Sequence, residues 1–190
     1  MKTGLMTAIA VMLVTFELSG CVPVVVAGAG AGVAVAADRR TSATYMSDEE
    51  IELRASNRIN TVFPADNVHV SCNSYNRTLL LTGEVPDAAT RDRIEQLVRE
   101  VPDVSSVHDA IEIAPPTTLG QRSDDLYLAA KIHTRFINAK TIPDGTIKVI
   151  VDRGIVYLMG FVTHQEGDQA AYVASVTDGV KGVVKLFEYQ

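Results

Sequence analysis

Apolar residues along the chain recur with helical and strand periods, and the same order of periods occurs twice. A helical stripe with i, i+4, i+8 spacing is followed by two apolar strand segments, a second helical pattern and a closing strand. Self-similarity at a fixed period indicates an internal repeat. We therefore predict two modules, module one at 47–114 and module two at 123–190. The helical stripe consists of Ile51, Ala55 and Ile59 in the first copy and of Leu128, Ile132 and Phe136 in the second.

The strand segments align the two copies closely. "TLLLTGEV" (78–85) matches "IVYLMGFV" (155–162), which places Gly83 opposite Gly160. The order of elements in each module is α-β-β-α-β, and two helices on one face of a three-stranded sheet form a common α+β layer pair. The hairpin of module one is predicted to be longer by two residues, "NSYNRT" against "DRG". We expect both glycines to be structural, since a glycine within a strand permits close backbone approach.

Helix starts and the linker follow from capping residues. The first helix of each module is predicted to begin near Ser47 or Asp48 and near Ser123 or Asp124, because these residues are good N-caps with acidic first turns. Residues 115–122, which include two prolines, are predicted to link the modules. The acidic clusters "DEE" and "SDD" are thereby explained by helix dipoles and do not indicate a catalytic acid pair.

The N-terminal segment 1–20 has a basic start, an apolar stretch and small residues directly before Cys21. This pattern resembles the lipobox of bacterial lipoproteins, in which the cysteine is lipidated; the alternative is an ordinary signal peptide followed by a chance cysteine. Val22 follows in place of the aspartate that retains lipoproteins in the inner membrane, so the resemblance implies outer-membrane sorting. Residues 21–46 are predicted to form the lipidated cysteine and a flexible tether.

The remaining chemistry of the chain does not indicate an enzyme. The histidines occupy dissimilar positions in the two copies, no metal-ligand spacing is present, and no serine-nucleophile or phosphate-loop motif occurs. We therefore expect no catalytic residues, metal or cofactor. With Cys21 lipidated, Cys72 cannot form an intramolecular disulfide, and its strand position predicts a buried thiol rather than a reactive one.

Charge is distributed unequally between the modules. The chain carries 17 basic and 23 acidic residues, a net charge of −6 that argues against nucleic-acid binding. Module one has 13 acidic and 6 basic residues, whereas residues 122–190 have 8 of each. An anionic bilayer would repel module one and tolerate module two.

The first helix of module two, predicted at 124–139, carries a second apolar strip opposite its core stripe. The same face of helix 48–62 in module one is polar apart from Leu53. An apolar strip with an aromatic residue and basic flanks suits an interfacial lipid contact. Packing against module one and binding of a protein partner are the alternatives. The predicted phospholipid-binding residues are Leu126, Tyr127, Ala130, Lys131, Thr134 and Ile137.

The repeated strands, together with the closing segments "DVSSVHDAIEI" and "GVKGVVKLFEY" and the lipobox, make the chain resemble dual BON-domain outer-membrane lipoproteins. The resemblance implies a non-enzymatic protein, anchored in the outer membrane and facing the periplasm, that supports envelope integrity and binds anionic phospholipid. It also implies links to β-barrel assembly and to amidase activators at the division site. In that family the contact helix is the first helix of the second module, with an aromatic residue near its start, where this chain has Tyr127.

Overall fold

The computed structural model describes residues 38–63, 68–140, 142–143 and 145–190, all within the unit Val33–Gln190. The α-β-β-α-β order predicted for each module is confirmed. Module one contains α1 (Ser42–Val62), β1 (His69–Tyr75), β2 (Thr78–Val85), α2 (Ala88–Arg99) and β3 (Ser106–Ile113). Module two contains α3 (Leu119–Ala139), β4 (Ile147–Asp152), β5 (Ile155–Val162), α4 (His164–Ser175) and β6 (Gly182–Tyr189).

The two sheets share one topology and one register. The strand order is β1-β2-β3 in one sheet and β4-β5-β6 in the other; the first pair of strands is antiparallel and the second pair is parallel. Val70 lies opposite Gly83, and Ile147 lies opposite Gly160. The repeat therefore keeps its offset of 77 through the hairpin, and the prediction of a longer hairpin in module one is wrong.

The hairpins are equal in length because each closes on a two-residue turn with positive φ at both positions. These are Asn76 (φ 48°) and Arg77 (φ 67°) in module one, and Arg153 (φ 53°) and Gly154 (φ 81°) in module two. Positive φ at both central residues is the type I′ geometry, whose twist matches that of the flanking strands. In module one the second turn position is Arg77 rather than the glycine typical of a type I′ turn, so the sequence did not indicate this turn.

An aspartate from the first helix of each module holds the turn. Asp48 accepts hydrogen bonds of 2.8 Å from the backbone N–H groups of both Asn76 and Arg77. Asp125 accepts from the N–H groups of Arg153 and Gly154, at 2.8 and 2.9 Å. The predicted capping role of Asp48 is therefore wrong, because its carboxylate lies inside the fold, almost two helical turns beyond the N-cap Thr41.

Both first helices begin earlier than predicted. The N-caps are Thr41, whose side chain accepts from the N–H of Thr44, and Thr118, whose side chain accepts from the N–H of Gln121. Thr118 and Gln121 form a reciprocal capping box, which satisfies two N–H groups that would otherwise lack partners. Residues 42–46 of the predicted tether and 119–122 of the predicted linker are consequently helical.

Each module buries one apolar core between its helices and its sheet, and a third apolar cluster lies between the two sheets. The central strands β2 and β5 are buried on both faces, which accounts for their nearly continuous apolar sequences. The modules thus pack sheet against sheet, with their helices on the outside. The buried members of the third cluster are Tyr75, Leu80, Tyr157 and Met159.

Polar contacts fix the register between the sheets. The Tyr75 hydroxyl accepts a hydrogen bond of 3.2 Å from the N–H of Phe161 and lies 3.4 Å from the carbonyl oxygen of Thr146. Asn76 donates to the Glu188 carboxylate at 2.6 Å. Because Tyr75 is only 3% exposed, these hydrogen bonds satisfy a hydroxyl that would otherwise be buried without partners.

The segment that precedes α1 contacts both modules. The guanidinium of Arg40 lies 4.0 Å from the centroid of the Tyr75 ring and forms an ion pair with Asp48 at 2.7 Å. Arg39 donates two hydrogen bonds of 2.8 Å to Glu166 at the start of α4 and a third, of 3.1 Å, to the carbonyl oxygen of Phe161. Residues 38–40, predicted as tether, therefore belong to the folded unit.

The Arg39–Glu166 contact predicts a dependence of stability on pH. Hydrogen bonding from Arg39 lowers the pKa of the Glu166 carboxyl to about 2. A carboxyl with a depressed pKa stabilises the fold above its unfolded pKa, and this stabilisation is lost as the pH falls from about 4.5 towards 2. Arg39→Gln is expected to lower the free energy of unfolding by about 1 kcal/mol at pH 7, with a smaller deficit at pH 3.

Circular-dichroism melts of the unit 33–190 at the two pH values measure this effect. Lys185→Gln is the matched control, since Lys185 pairs with Asp168 at 3.2 Å with both side chains largely exposed. It should change stability by a few tenths of a kcal/mol. An equal deficit for Arg39→Gln at pH 7 and pH 3 would contradict the assigned ion pair.

Candidate functional site

The outer face of α3 carries an exposed apolar strip, as predicted from the sequence. Leu126 and Tyr127 are each 73% exposed and Ile137 is 49% exposed, while Ala130 and Thr134 lie between them on the surface. Their steps of three and four residues place them on one side of the helix. The core stripe Leu128, Ile132 and Phe136 is buried on the opposite side. Packing of this strip against module one, one of the alternatives, is wrong, because the modules meet through their sheets.

The strip is longer than predicted, because α3 begins before the predicted start. Leu119, which the sequence placed in the linker, lies in the first turn and is 80% exposed. It precedes Leu126 by seven residues and therefore lies on the same side of the helix. We call the set Leu119, Leu126, Tyr127, Ala130, Thr134 and Ile137 the α3 strip.

The start of α3 is fixed to module one by the residue before its cap. Thr117 donates to the buried Glu84 carboxylate through its N–H group at 3.1 Å and its hydroxyl at 3.3 Å. Arg122, in the first turn of the helix, donates back to the carbonyl oxygen of Thr117 at 2.9 Å. The α3 strip is therefore carried by a helix with an anchored N-terminal end.

Lys131 lies at the edge of the strip and turns towards α4. Its ammonium donates to the carbonyl oxygen of Asp178 at 3.2 Å and lies 3.9 Å from the carboxylate of the same residue. A lysine ammonium has three donors, so this contact leaves capacity for a further anionic partner. Thr134 donates its hydroxyl to the carbonyl oxygen of Ala130 at 2.9 Å, which presents its methyl group as part of the apolar surface.

A pocket of about 360 Å³ opens beside the strip, between α3, the β4–β5 turn and the loop that follows α4. Tyr127 and Leu128 form part of its apolar wall. Lys131, Arg153 and Lys181 contribute cationic groups to its lining, and Asp124, Asp125 and Asp178 contribute an equal number of carboxylates. The pocket therefore joins exposed apolar surface to a lining of mixed charge within module two.

Module one provides an internal comparison for the α3 strip. Helix α1 buries Ile51, Ala55 and Ile59 at the positions equivalent to the core stripe of α3. At the positions of Leu126 and Tyr127, however, α1 carries Glu49 and Glu50, both exposed. The same scaffold thus folds with glutamates at these two positions, so the core does not require Leu126 and Tyr127, although α1 also exposes the apolar side chains of Met46 and Leu53.

The other predicted residues are placed as follows. Cys72 is partly buried on β1, and burial raises the pKa of its thiol to about 11, which disfavours the reactive thiolate. In the described ranges, His, Cys, Asp and Glu side chains form no group of three or more suited to a metal ion. The predicted lipid anchor Cys21 lies outside the described residues.

In the part of the chain that the structure describes, no helix has both the length and the apolar character of a membrane-spanning segment.

Comparison with known families identifies the repeat. The BON domain family matches residues 47–115 and 124–190. The chain belongs to the BON-domain family. It carries two BON domains, and it is 32% identical over 177 residues to the outer membrane lipoprotein DolP of Haemophilus influenzae, a match that covers 92% of this chain and 91% of that protein.

Two further similarities are more distant. The chain is 26% identical over 153 residues to a 21 kDa hemolysin of Actinobacillus pleuropneumoniae, covering 80% of this chain and 79% of the relative. A solved structure of CdsD, a structural protein of the type III secretion system of Chlamydia trachomatis, covers 74% of this chain and 92% of its own, with 12% identity and a TM-score of 0.31. The assignment to the BON-domain family does not depend on this structural similarity.

Proposed function

We propose that this dual BON-domain chain is a non-enzymatic outer-membrane lipoprotein, anchored through Cys21 and facing the periplasm, which supports envelope integrity by binding anionic phospholipid through the α3 strip. The similarity to an outer membrane lipoprotein over 92% of the chain supports the location. The observation that carries the lipid contact is the exposure of Leu126 and Tyr127, at 73% each, on a helix whose counterpart in module one has glutamates there.

The physical basis is an interfacial contact by one helix face. Exposed leucine, tyrosine and isoleucine side chains gain free energy when they leave water for the boundary between headgroups and acyl chains. Nearby lysine and arginine side chains add about 1 kcal/mol each near an anionic surface. Module one, with a net charge of −7 from 13 acidic and 6 basic residues, would be held away from the same surface.

Cosedimentation of the unit 33–190 with phosphatidylglycerol vesicles tests the contact. Leu126→Glu and Tyr127→Glu are each expected to weaken vesicle binding about tenfold, because each removes apolar contact and adds a negative charge. Both variants place in module two a residue that module one already tolerates at the equivalent position, so circular-dichroism melts should remain near those of the parent.

Leu53→Glu is the matched control, since Leu53 is a 62% exposed leucine on the outer face of α1. It should bind vesicles as the parent does. Phosphatidylcholine vesicles should bind all forms weakly, and added salt should weaken binding to phosphatidylglycerol through the electrostatic contribution. Parental binding by Leu126→Glu and Tyr127→Glu would reject the α3 strip and leave a protein adaptor, in contact with β-barrel assembly or amidase activators, as the function to test by crosslinking.

A further inference from the structure

Helix α4 presents a second pair of exposed apolar side chains in module two. Tyr172 is 63% exposed and Val176, which ends the helix, is 46% exposed, and their i, i+4 spacing places them on one side. The opposite side of α4 buries Ala170 and Val173 in the core that α3 also enters. Both helices therefore lie on the same face of the sheet, and both turn apolar residues away from it.

Module one shows that the fold does not require these residues. Helix α2 has the same length as α4, and the two helices align at an offset of 76, N-cap on N-cap. Buried Ile94, Leu97 and Val98 of α2 then correspond to buried Ala170, Val173 and Ala174 of α4. At the positions of Tyr172 and Val176, α2 carries Gln96 and the exposed Glu100.

Basic side chains of α3 connect the two apolar surfaces. The guanidinium of Arg135 donates to the carbonyl oxygen of Val176 at 3.2 Å and to the hydroxyl of Thr177 at 3.1 Å. Lys131 reaches the carbonyl oxygen of Asp178 one helical turn earlier along α3. Cations at the C-terminal end of a helix interact favourably with its dipole, which fixes α4 beside the middle of α3.

The same arginine contact exists in module one without the apolar residues. Arg58, equivalent to Arg135, donates to the carbonyl oxygen of Leu97 at 3.4 Å and to the carboxylate of Glu100 at 3.3 Å. In module one the arginine is thus neutralised by the residue that stands where module two has Val176. Module two has an apolar side chain in place of that carboxylate, and among the described residues the guanidinium of Arg135 hydrogen-bonds to Val176 and Thr177.

Further cations lie on the other side of Tyr172. A groove between α4 and β6 is lined by Tyr172, Lys181 and Lys185. Lys185 pairs with the exposed Asp168, and Lys181 donates to the carbonyl oxygen of Arg153. Around Tyr172 and Val176 the structure therefore places four basic residues, Lys131, Arg135, Lys181 and Lys185, against the acidic residues Asp168 and Asp178.

An excess of cations around an apolar centre is complementary to an anionic bilayer surface. We infer that module two docks on anionic phospholipid through both of its helices, with Tyr172 and Val176 of α4 inserting beside the α3 strip. This inference rests on the proposed function of α3 and extends the contact from one helix to the whole helix layer of module two. A second line of contact would hold the module at a fixed rotation about α3, which a single helix cannot do.

Single tryptophans test the insertion, because the chain contains no native tryptophan. Tyr127→Trp and Tyr172→Trp report on α3 and α4, and Gln96→Trp reports on the position in module one equivalent to Tyr172. On vesicles of brominated phosphatidylglycerol, fluorescence of the first two variants is expected to fall at least twofold relative to unbrominated vesicles. Gln96→Trp should keep its fluorescence.

The outcomes separate the two proposals. Quenching of Tyr127→Trp without quenching of Tyr172→Trp would overturn the contact by α4 and leave the α3 contact intact. Absence of quenching in both variants would overturn the proposed function and the present inference with it. Quenching of Gln96→Trp as strong as that of Tyr172→Trp would also overturn the inference, since contact would then not be specific to module two.

A double substitution supplies a second test that does not depend on a reporter. Tyr172→Gln with Val176→Glu gives α4 the residues that α2 has, and is expected to weaken binding to phosphatidylglycerol vesicles at least fivefold. Circular-dichroism melts identify any loss of folding, and Gln96→Ala with Glu100→Ala is the matched control. Parental affinity of a folded Tyr172→Gln, Val176→Glu variant would overturn the inference.

Discussion

Gly83→Val is expected to destabilise module one by about 4–6 kcal/mol, the largest effect expected of any single substitution in this chain described here. Gly83 has a φ of 118°, a conformation that β-branched residues do not adopt without strain. A Cβ atom there would lie 2.0 Å from the carbonyl oxygen of His69 on the neighbouring strand. Backbone strain and overpacking each contribute about 1–3 kcal/mol, and here they act together.

Gly160 and Gly120 complete a graded series. Gly160 has ordinary strand geometry, but a Cβ atom would lie 2.7 Å from the carbonyl oxygen of Thr146, so Gly160→Val should destabilise module two by about 2–3 kcal/mol. In the first turn of α3, Gly120 would place its Cβ 3.8 Å from the Thr118 hydroxyl, and Gly120→Ala should be neutral or slightly stabilising. Urea unfolding of the unit 33–190 followed by circular dichroism measures the series, and near-parental stability of Gly83→Val would contradict it.

The fold was predictable where local patterns determine it. Core stripes and apolar strands recur with helical and strand periods, and their repetition identified both modules. The helix starts were not predictable, since Ser47 and Asp48 are N-cap residues as favourable as Thr41 when judged from sequence alone. Only the position of Asp48 inside the fold decides between them. Likewise, the apolar runs of β2 and β5 are typical of strands buried on both faces, but they do not indicate that another sheet covers the second face.

The candidate site was predictable only as far as the two copies could be compared. Leu126 and Tyr127 stand out because module one has glutamates at the equivalent positions, a comparison that needs no structure. Leu119 was not predicted to be part of the α3 strip, because the sequence placed it in the linker. Tyr172 and Val176 were missed because their significance depends on which face of α4 enters the core, which the short, alanine-rich sequence of that helix leaves ambiguous.

Asp48→Ala should be the second most damaging of these substitutions, lowering the free energy of unfolding by about 3–5 kcal/mol. Asp48 is 2% exposed, and its carboxylate accepts hydrogen bonds from the Ser74 hydroxyl and from the turn N–H groups of Asn76 and Arg77, each at 2.8 Å. It also forms the 2.7 Å ion pair with Arg40, whose side chain is 9% exposed. Removing one partner of a buried ion pair leaves the other charge poorly compensated, and the loss of several hydrogen bonds adds to this.

Module two offers a matched control in Asp125→Ala. Asp125 holds the N–H groups of Arg153 and Gly154 as Asp48 holds the equivalent turn, but among the described residues no arginine side chain hydrogen-bonds to it as Arg40 does to Asp48. Its removal should therefore destabilise the protein by about 1–3 kcal/mol, the range for buried groups that lose a hydrogen-bond partner.

A double-mutant cycle separates the ion pair from the turn contacts. Because Arg40→Met removes the buried cation and keeps an apolar side chain beside Tyr75, Asp48→Ala should be less damaging in that background, by about 1–3 kcal/mol. Urea unfolding of the four proteins of the cycle gives the coupling free energy. Additive effects of the two substitutions would show that Asp48 acts through the hairpin turn alone, and that the segment before α1 is held to module one by the stacking of Arg40 on Tyr75 rather than by its charge.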